Sequence, residues 1–224
     1  MDRLQRLRLL IGNNAVEKLH KSTVMVVGCG AVGSFAIEAL ARCGVGHLIL
    51  IDFDVVEESN INRQLFALES TVGKHKVDVA KQRIADINPD IIVDTFKIFF
   101  DENTVLDVKP DFVIDAIDTV QSKISLYKWC FDNNIPFISS MGAARKTDLT
   151  KIKTDTISKT TVCPLASKIR GIVRDLKLPE FPVVYSTEIA TAQLNGGREL
   201  GSVITVTGAF GLMLANFVIK KLIS

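Results

Sequence analysis

Residues 52 to 64 read DFDVVEESNINRQ, with two aspartates at the head and two asparagines, an arginine and a glutamine at the tail. Carboxylates such as Asp52 and Asp54 accept hydrogen bonds, the amides of Asn60 and Gln64 donate and accept, and the guanidinium of Arg63 offers a planar fork of donors suited to phosphate. Further on, Gly73-Lys74-His75-Lys76 adds positive charge where a helical pattern begins. Upstream, GCGAVG sets Gly28, Gly30 and Gly33 in a G-x-G-x-x-G pattern. Glycines at that spacing permit a tight turn and bring backbone N–H groups at a helix N-terminus close to a phosphate. A nicotinamide cofactor is the default ligand of such a turn, but hydride transfer calls for no cationic groups around the phosphates beyond it. Arg63 and Lys76 converging on phosphate would instead stabilise charge on a phosphorus under attack and on a departing pyrophosphate. The set reads as a site for breaking a nucleoside triphosphate.

The elements that must hold these residues can be read from hydrophobic patterning. Apolar, β-rich runs fall at TVMVV (23–27), HLILI (47–51), IIVDTFKI (91–98), DFVIDA (111–116) and PFISS (136–140). Between them, GAVGSFAIEALARCG places Phe35, Ile37, Ala39 and Leu40 at helical spacing, and KVDVAKQRIADI places Val77, Ala80, Ile84 and Ile87 before Asn88-Pro89 stops the turn. Strands alternating with helices predict an α/β fold, a Rossmann-like, mainly parallel sheet with helices on both faces. Asp52 then ends the second strand, where an acid takes ribose hydroxyls. Asp118 follows a hydrophobic strand at its carboxyl end, where open α/β sheets bind ligands. The polar, glycine-bearing stretch TAQLNGGRELGS (191–202) reads as a mobile loop, and no internal repeat is apparent. In SVITVTGAFGLMLANFVIKKLIS, residues 202–219 carry no charge but include Ser202, Thr205, Thr207 and Asn216. The first part alternates like a strand and the second has helical spacing, which predicts a buried strand and helix rather than a membrane span, with peripheral membrane contact left open.

With 224 residues, 47% hydrophobic and 23% charged, the chain fits one domain, 1–224, with a sizeable core. The N-terminus lacks the apolar region and cleavage site of a secretory signal, which predicts a cytoplasmic location and free thiols at Cys29, Cys43, Cys130 and Cys163. No CxxC pair occurs and His20, His47 and His75 are scattered, so no zinc site is expected. The net charge of +2 hides an asymmetry. Residues 145–177 hold nine Lys/Arg against three Asp, net +6, leaving 18 basic against 22 acidic residues elsewhere, net −4. A solvated face is the plain reading and a polyanion the sharper one. Arg145, Lys168, Arg170 and Arg174 are its candidate contacts.

In order along residues 3–140, GCGAVG, the strand-ending DFD, N-I-N-R-Q, G-K-H-K and DAID (115–118) resemble the ubiquitin-activating-enzyme-like adenylyltransferases. The resemblance implies ATP and Mg²⁺. Asp52 would hold the ribose, Arg63 and Lys76 the phosphates, and Asp118 would organise the metal. Arg6 in RLQRL resembles an arginine that reaches the neighbouring subunit's phosphates, which implies a homodimer. Residues 1–140 would form the nucleotide-binding half and 141–224 the substrate-binding half. In that second half, SSMGAARKTDLTKIKTDTISKTTVCPLASKIR, VVYSTE and SVITVTGAFG resemble the branch that dehydrates threonylcarbamoyladenosine in tRNA. The zinc-binding CxxC pairs usual in the sulfur-carrier branch are missing.

That resemblance implies adenylation of the threonyl carboxylate followed by closure to an oxazolone, with tRNA as partner and a sulfur-relay partner left open. Adenylation of a ubiquitin-like sulfur carrier and nucleotide binding without catalysis stand as alternatives. Cys163, near basic residues, is a candidate thiol acceptor under the carrier reading and a packed hydrophobe otherwise. Cys29, inside the glycine loop, and Cys43 read as packing residues.

Overall fold

The near-continuous apolar runs that mark strands buried on both faces form the centre of the computed structural model, which describes residues 2–192 and 200–224. β1 (Thr23–Val27), β2 (His47–Ile51), β3 (Ile92–Phe96), β4 (Phe112–Asp115), β5 (Phe137–Ser140), β6 (Ile152–Thr156) and β7 (Pro182–Ser186) make one sheet in the order β3-β2-β1-β4-β5-β7-β6. All neighbours pair in parallel except β6 and β7, which are antiparallel. The helices are α1 (Gln5–Ile11), α2 (Asn13–Lys21), α3 (Gly33–Arg42), α4 (Lys76–Ile87), α5 (Val120–Asp132), α6 (Pro164–Asp175) and α7 (Ile204–Ile223).

Side chains alternate across the sheet. Val24 and Val26 of β1, with Leu48 and Leu50 of β2, join a core with α3, α4 and α7. Met25, Val27, Ile49 and Ile51 join a second core with α5 and α6. The sheet is therefore covered on both faces, as the sequence predicts. Strand β1 has β2 on one side and β4 on the other, so the strand order reverses beside it. Open α/β sheets place ligands beyond the carboxyl ends at such a reversal.

The five expected strands and both expected helices form, and α4 ends with Asn88 as its C-cap. In α3 the buried face is Ala36, Ile37, Leu40 and Ala41, while Phe35 and Ala39 are only half buried. The C-terminus departs from expectation, because in VITVT Val203 is the N-cap and ITVT the start of α7, not a strand. The reason is tertiary. Val206, Phe210, Leu214 and Val218 recur every fourth residue on one buried face. At Gly211 an added Cβ would lie 2.3 Å from the carbonyl oxygen of Val32, and at Gly208 one would lie 3.2 Å from the Phe35 ring. These glycines let α7 cross α3 at close range. By length and composition α7 could cross a bilayer, but 44% of its apolar window is buried within the protein. The loop expected at 191–202 lies mostly outside the described residues.

Candidate functional site

A cleft of about 700 Å³ opens over the carboxyl ends of β1 to β5. Gly28, with φ of +92°, begins its floor, and a Cβ there would sit 2.7 Å from the Ala116 carbonyl oxygen. A Cβ on Gly33 would fall 1.8 Å from the Gly28 oxygen, so both positions must lack a side chain for the turn to close. Gly30 differs. The nearest atom to a Cβ on Gly30 would be Gln64 Nε2 at 3.7 Å, which leaves space on the cleft side for a ligand to approach the backbone. Helix α3 starts here without a side-chain cap, leaving its positive end to an anion.

Asp52 is 8% exposed and binds the glycine turn to β2: Oδ2 accepts the Cys29 N–H at 2.6 Å and Oδ1 the Asp54 N–H at 2.8 Å. Burial pushes its carboxyl above the ordinary range, against the lowering effect of nearby Lys76. Beside it, Phe53 and Phe99 meet edge to face at 5.1 Å and, with Ile98, form an apolar rim. Sequence reasoning missed this rim, although Phe53 sits inside the DFD motif and Phe99 follows the third strand.

The polar wall gathers Asn60, Arg63, Gln64 and Lys76 around the same cleft. Asn60 ends a 3₁₀ turn (Glu58–Asn60), and its side-chain oxygen accepts the Glu57 N–H at 3.2 Å. Arg63 donates to the Ser59 carbonyl at 2.6 Å and to Asn62 Oδ1 at 2.9 Å. Lys76 is the first residue of α4, where the helix dipole disfavours a cation. It is 6% exposed and held there by Asp54, Nζ to Oδ2 at 2.6 Å.

Asp118 is exposed in the turn after β4, lines the cleft and accepts only the Thr119 hydroxyl, at 3.2 Å, among the described residues. One such carboxylate fits Mg²⁺, which keeps its waters and takes its other ligands from phosphate oxygens. Ser122 also lines the cleft; its hydroxyl is buried and has no partner among the described residues. No composition signal marked it.

Two candidate residues lie apart from the cleft of their own chain. Arg6 is exposed on α1, outside the cleft. Its neighbours show why: Arg3 bonds Ile87 O at 3.0 Å and Asn88 Oδ1 at 2.8 Å, and Leu4 lies against Gly44. That is the amino-end side of β2 and β3, so within its own chain Arg6 does not meet the phosphate wall. Cys163 is the N-cap of α6 and 2% exposed. Its sulfur lies behind Gly142 in the second core, while Gly142 itself lines the cleft.

The basic window divides. Arg145, with φ of +60°, donates from Nε to Thr191 O at 2.7 Å, and its backbone bonds both Thr191 and Gly201, so it braces the chain there. Arg170 donates to Thr160 O at 2.7 Å. Lys168 and Arg174 are exposed on α6, Arg174 pairing Asp175 at 3.2 Å. Arg170 and Arg174, with Ser158, Ser167 and Glu180, line a second cleft of about 580 Å³.

With this geometry in place, comparison with known proteins is specific. The model of the ThiF family matches residues 3–224. The tRNA threonylcarbamoyladenosine dehydratase of Bacillus subtilis is 51% identical over 192 residues, covering 84% of this chain and 76% of that protein. Crystal structures of the Escherichia coli tRNA N6-threonylcarbamoyladenosine dehydratase superpose with TM-scores of 0.92 for the AMP complex and 0.91 for the ATP complex. Each is 35% identical and covers 98% of this chain and 93% of that one.

Proposed function

The chain belongs to the ThiF family, and from that premise we propose that it is an ATP-dependent tRNA threonylcarbamoyladenosine dehydratase. The observation that carries the reading is the single cleft in which the glycine turn, Asp52, the Arg63–Lys76 wall and Asp118 meet. Support comes from the likeness, over nearly the whole chain, to dehydratases that include an ATP complex.

In this reading the purine lies against the Phe53–Phe99 rim and the ribose hydroxyls meet Asp52. The phosphates run over Gly30 and the amino end of α3 toward Arg63 and Lys76. Mg²⁺, held through Asp118, would supply charge neutralisation on the phosphate oxygens when bound. The threonyl carboxylate attacks the α-phosphorus and pyrophosphate leaves, its charge met by Arg63 and Lys76. The resulting mixed anhydride with AMP holds an activated carbonyl carbon. The carbamoyl oxygen of the same substituent attacks that carbon, AMP departs, a proton is lost from the carbamoyl nitrogen, and the oxazolone closes. Neighbouring-group closure needs no enzyme nucleophile, which agrees with the buried place of Cys163. In the alternative reading the C-terminal carboxylate of a ubiquitin-like sulfur carrier is adenylated and its acyl group then passes to a thiol with loss of AMP, a step that the burial of Cys163 disfavours.

Lys168 and Arg174, with the rest of the basic window, would meet the tRNA backbone in the cytoplasm. Arg6 would act on the neighbouring subunit of a homodimer. Incubation with ATP, Mg²⁺ and tRNA bearing threonylcarbamoyladenosine tests the reading: pyrophosphate release together with a nucleoside lighter by one water is expected. Release without mass loss would favour adenylation of another acceptor.

A further inference from the structure

Beneath the cleft lies an ion pair sealed from solvent. Lys123 of α5 and Asp115 of β4 are both 0% exposed, with Nζ 2.7 Å from Oδ2. The ammonium has three protons and three acceptors: Asp115, the Ser140 carbonyl at 2.8 Å and Ser139 Oγ at 3.3 Å. Ser139 donates in turn to Asp115 Oδ2 at 2.5 Å and takes the Tyr127 hydroxyl at 2.7 Å. Burial raises Tyr127 well above the ordinary phenol range, which keeps it a donor. The other carboxylate oxygen, Asp115 Oδ1, accepts the Ile117 N–H at 3.0 Å. Every side-chain donor proton in this network has an acceptor.

Both ends of the network reach the cleft wall. Ile117 immediately precedes Asp118 in the β4–α5 turn, and Ser140 opens the Ser140–Ala143 edge that follows β5; all of them line the cleft. Ser122, which lines that cleft and whose buried hydroxyl has no partner among the described residues, is adjacent to Lys123 in the first turn of α5. A charge pair buried this completely is poor evidence for stability, since apolar groups of the same volume often serve as well. It is good at fixing one geometry.

We propose that Lys123 is a positioning residue for the transfer reaction: through Asp115 and Ser140 it fixes the turn that carries Asp118 and Ser122 against the strand end opposite. The proposal rests on the adenylate-forming reading above. A buried neutral substitute should fill the space and let the turn drift, and displacements of about 1 Å from a productive geometry lower turnover by up to about a hundredfold.

The test is the paired variant Asp115→Asn/Lys123→Met, which removes both charges together, with ATP as the probe. Expected are a cooperative thermal transition, a KM for ATP within about threefold of wild type and a kcat for pyrophosphate release lower by about tenfold or more. Faster amide exchange confined to residues 116–119 and 140–143 is expected as well. A folded variant with wild-type kcat and wild-type exchange overturns the proposal, and so does a parallel loss of ATP affinity and kcat with exchange raised throughout the chain. Should the pair not fold, Ser139→Ala, which removes one link beneath the same wall, must show the same pattern in milder form; a folded Ser139→Ala enzyme indistinguishable from wild type overturns it equally. If wild type itself releases no pyrophosphate, the functional reading fails, while the exchange pattern still decides whether Lys123 holds the wall.

Discussion

Lys76 occupies a position that local helix physics opposes, a cation at the start of α4 and almost out of water, retained by one carboxylate at 2.6 Å. An arrangement of that kind is understandable if Asp54 holds the ammonium ready for a phosphate. Arg63 is held in the same way, by a carbonyl and an amide that leave its remaining donors to the cleft. Lys76→Ala or Arg63→Ala should therefore lower the rate of ATP-dependent pyrophosphate release by about a hundredfold or more, the scale of losing a preorganised charge stabiliser. Adenosine, which lacks phosphates, should bind both variants as it binds wild type; calorimetry with adenosine beside the kinetic assay separates the two effects. Cys163 gives the opposite expectation. Its sulfur is buried behind Gly142, so Cys163→Ser should still release pyrophosphate and still yield the nucleoside lighter by one water. Mass spectrometry after a single turnover would show accumulation of adenylate alone if the thiol were obligatory.

At the scale of elements, α7 shows how far sequence patterning reaches. Gly211→Ala should improve local helix propensity by about 1 kcal/mol, yet its Cβ would land 2.3 Å from the Val32 oxygen, a backbone atom that cannot swing aside. The clash outweighs the propensity gain: a net loss of about 2 kcal/mol, roughly 4–8 °C in Tm, is expected, and calorimetric unfolding checks it. Weakened ATP binding should accompany it, because Val32 belongs to the glycine turn. This contact was not legible beforehand, since the β-branched VITVT looks like a strand until Phe35 is known to lie against Gly208. Strands β1, β2, β4 and β5 were legible because double-sided burial leaves an unbroken apolar run, whereas the equally buried β7, PVVYS, was not read as a strand because its apolar run is only three residues long. Edge strand β6, IKTDT, was not, because only Ile152 is buried and its neighbours face water. Gly28, Gly33, Asp52, Arg63 and Lys76 could be read because their chemistry lies in short motifs. The Asp115–Ser139–Lys123 network could not, as its members come from three elements and only packing reveals that Lys123 is buried. Phe53 and Phe99 were passed over because exposed aromatics carry no periodic signal.

For the molecule as a whole, a net charge of +2 is divided between a basic window of +6 and a remainder of −4, a distribution suited to orienting a polyanion. The structure narrows which charges can do so, since Arg145 and Arg170 brace the backbone while Lys168 and Arg174 face water. Neutralising Lys168 and Arg174 together should weaken tRNA binding and reduce the salt slope by about two, leaving ATP affinity unchanged; filter binding across a salt series would expose the window as merely solvated if the slope held. Assembly carries the remaining question, because Arg6 lies outside its own cleft and can serve the reaction only from another subunit. Leu9 and Leu10 beside it on α1 are 82% and 81% exposed, and Leu212 on α7 is 51% exposed, apolar surface that a twofold contact would cover. Light scattering should give twice the 24.6 kDa chain mass. A mixed dimer is the decisive measurement. Arg6→Ala and Arg63→Ala chains, each inactive alone, should regain one intact site per mixed pair when refolded together, because one chain keeps its own Arg63 and receives Arg6 from the other. With random pairing of two-site dimers, roughly a quarter of wild-type activity is expected. If Arg6 acted within its own chain, every site would carry one lesion or the other, and mixing would restore nothing.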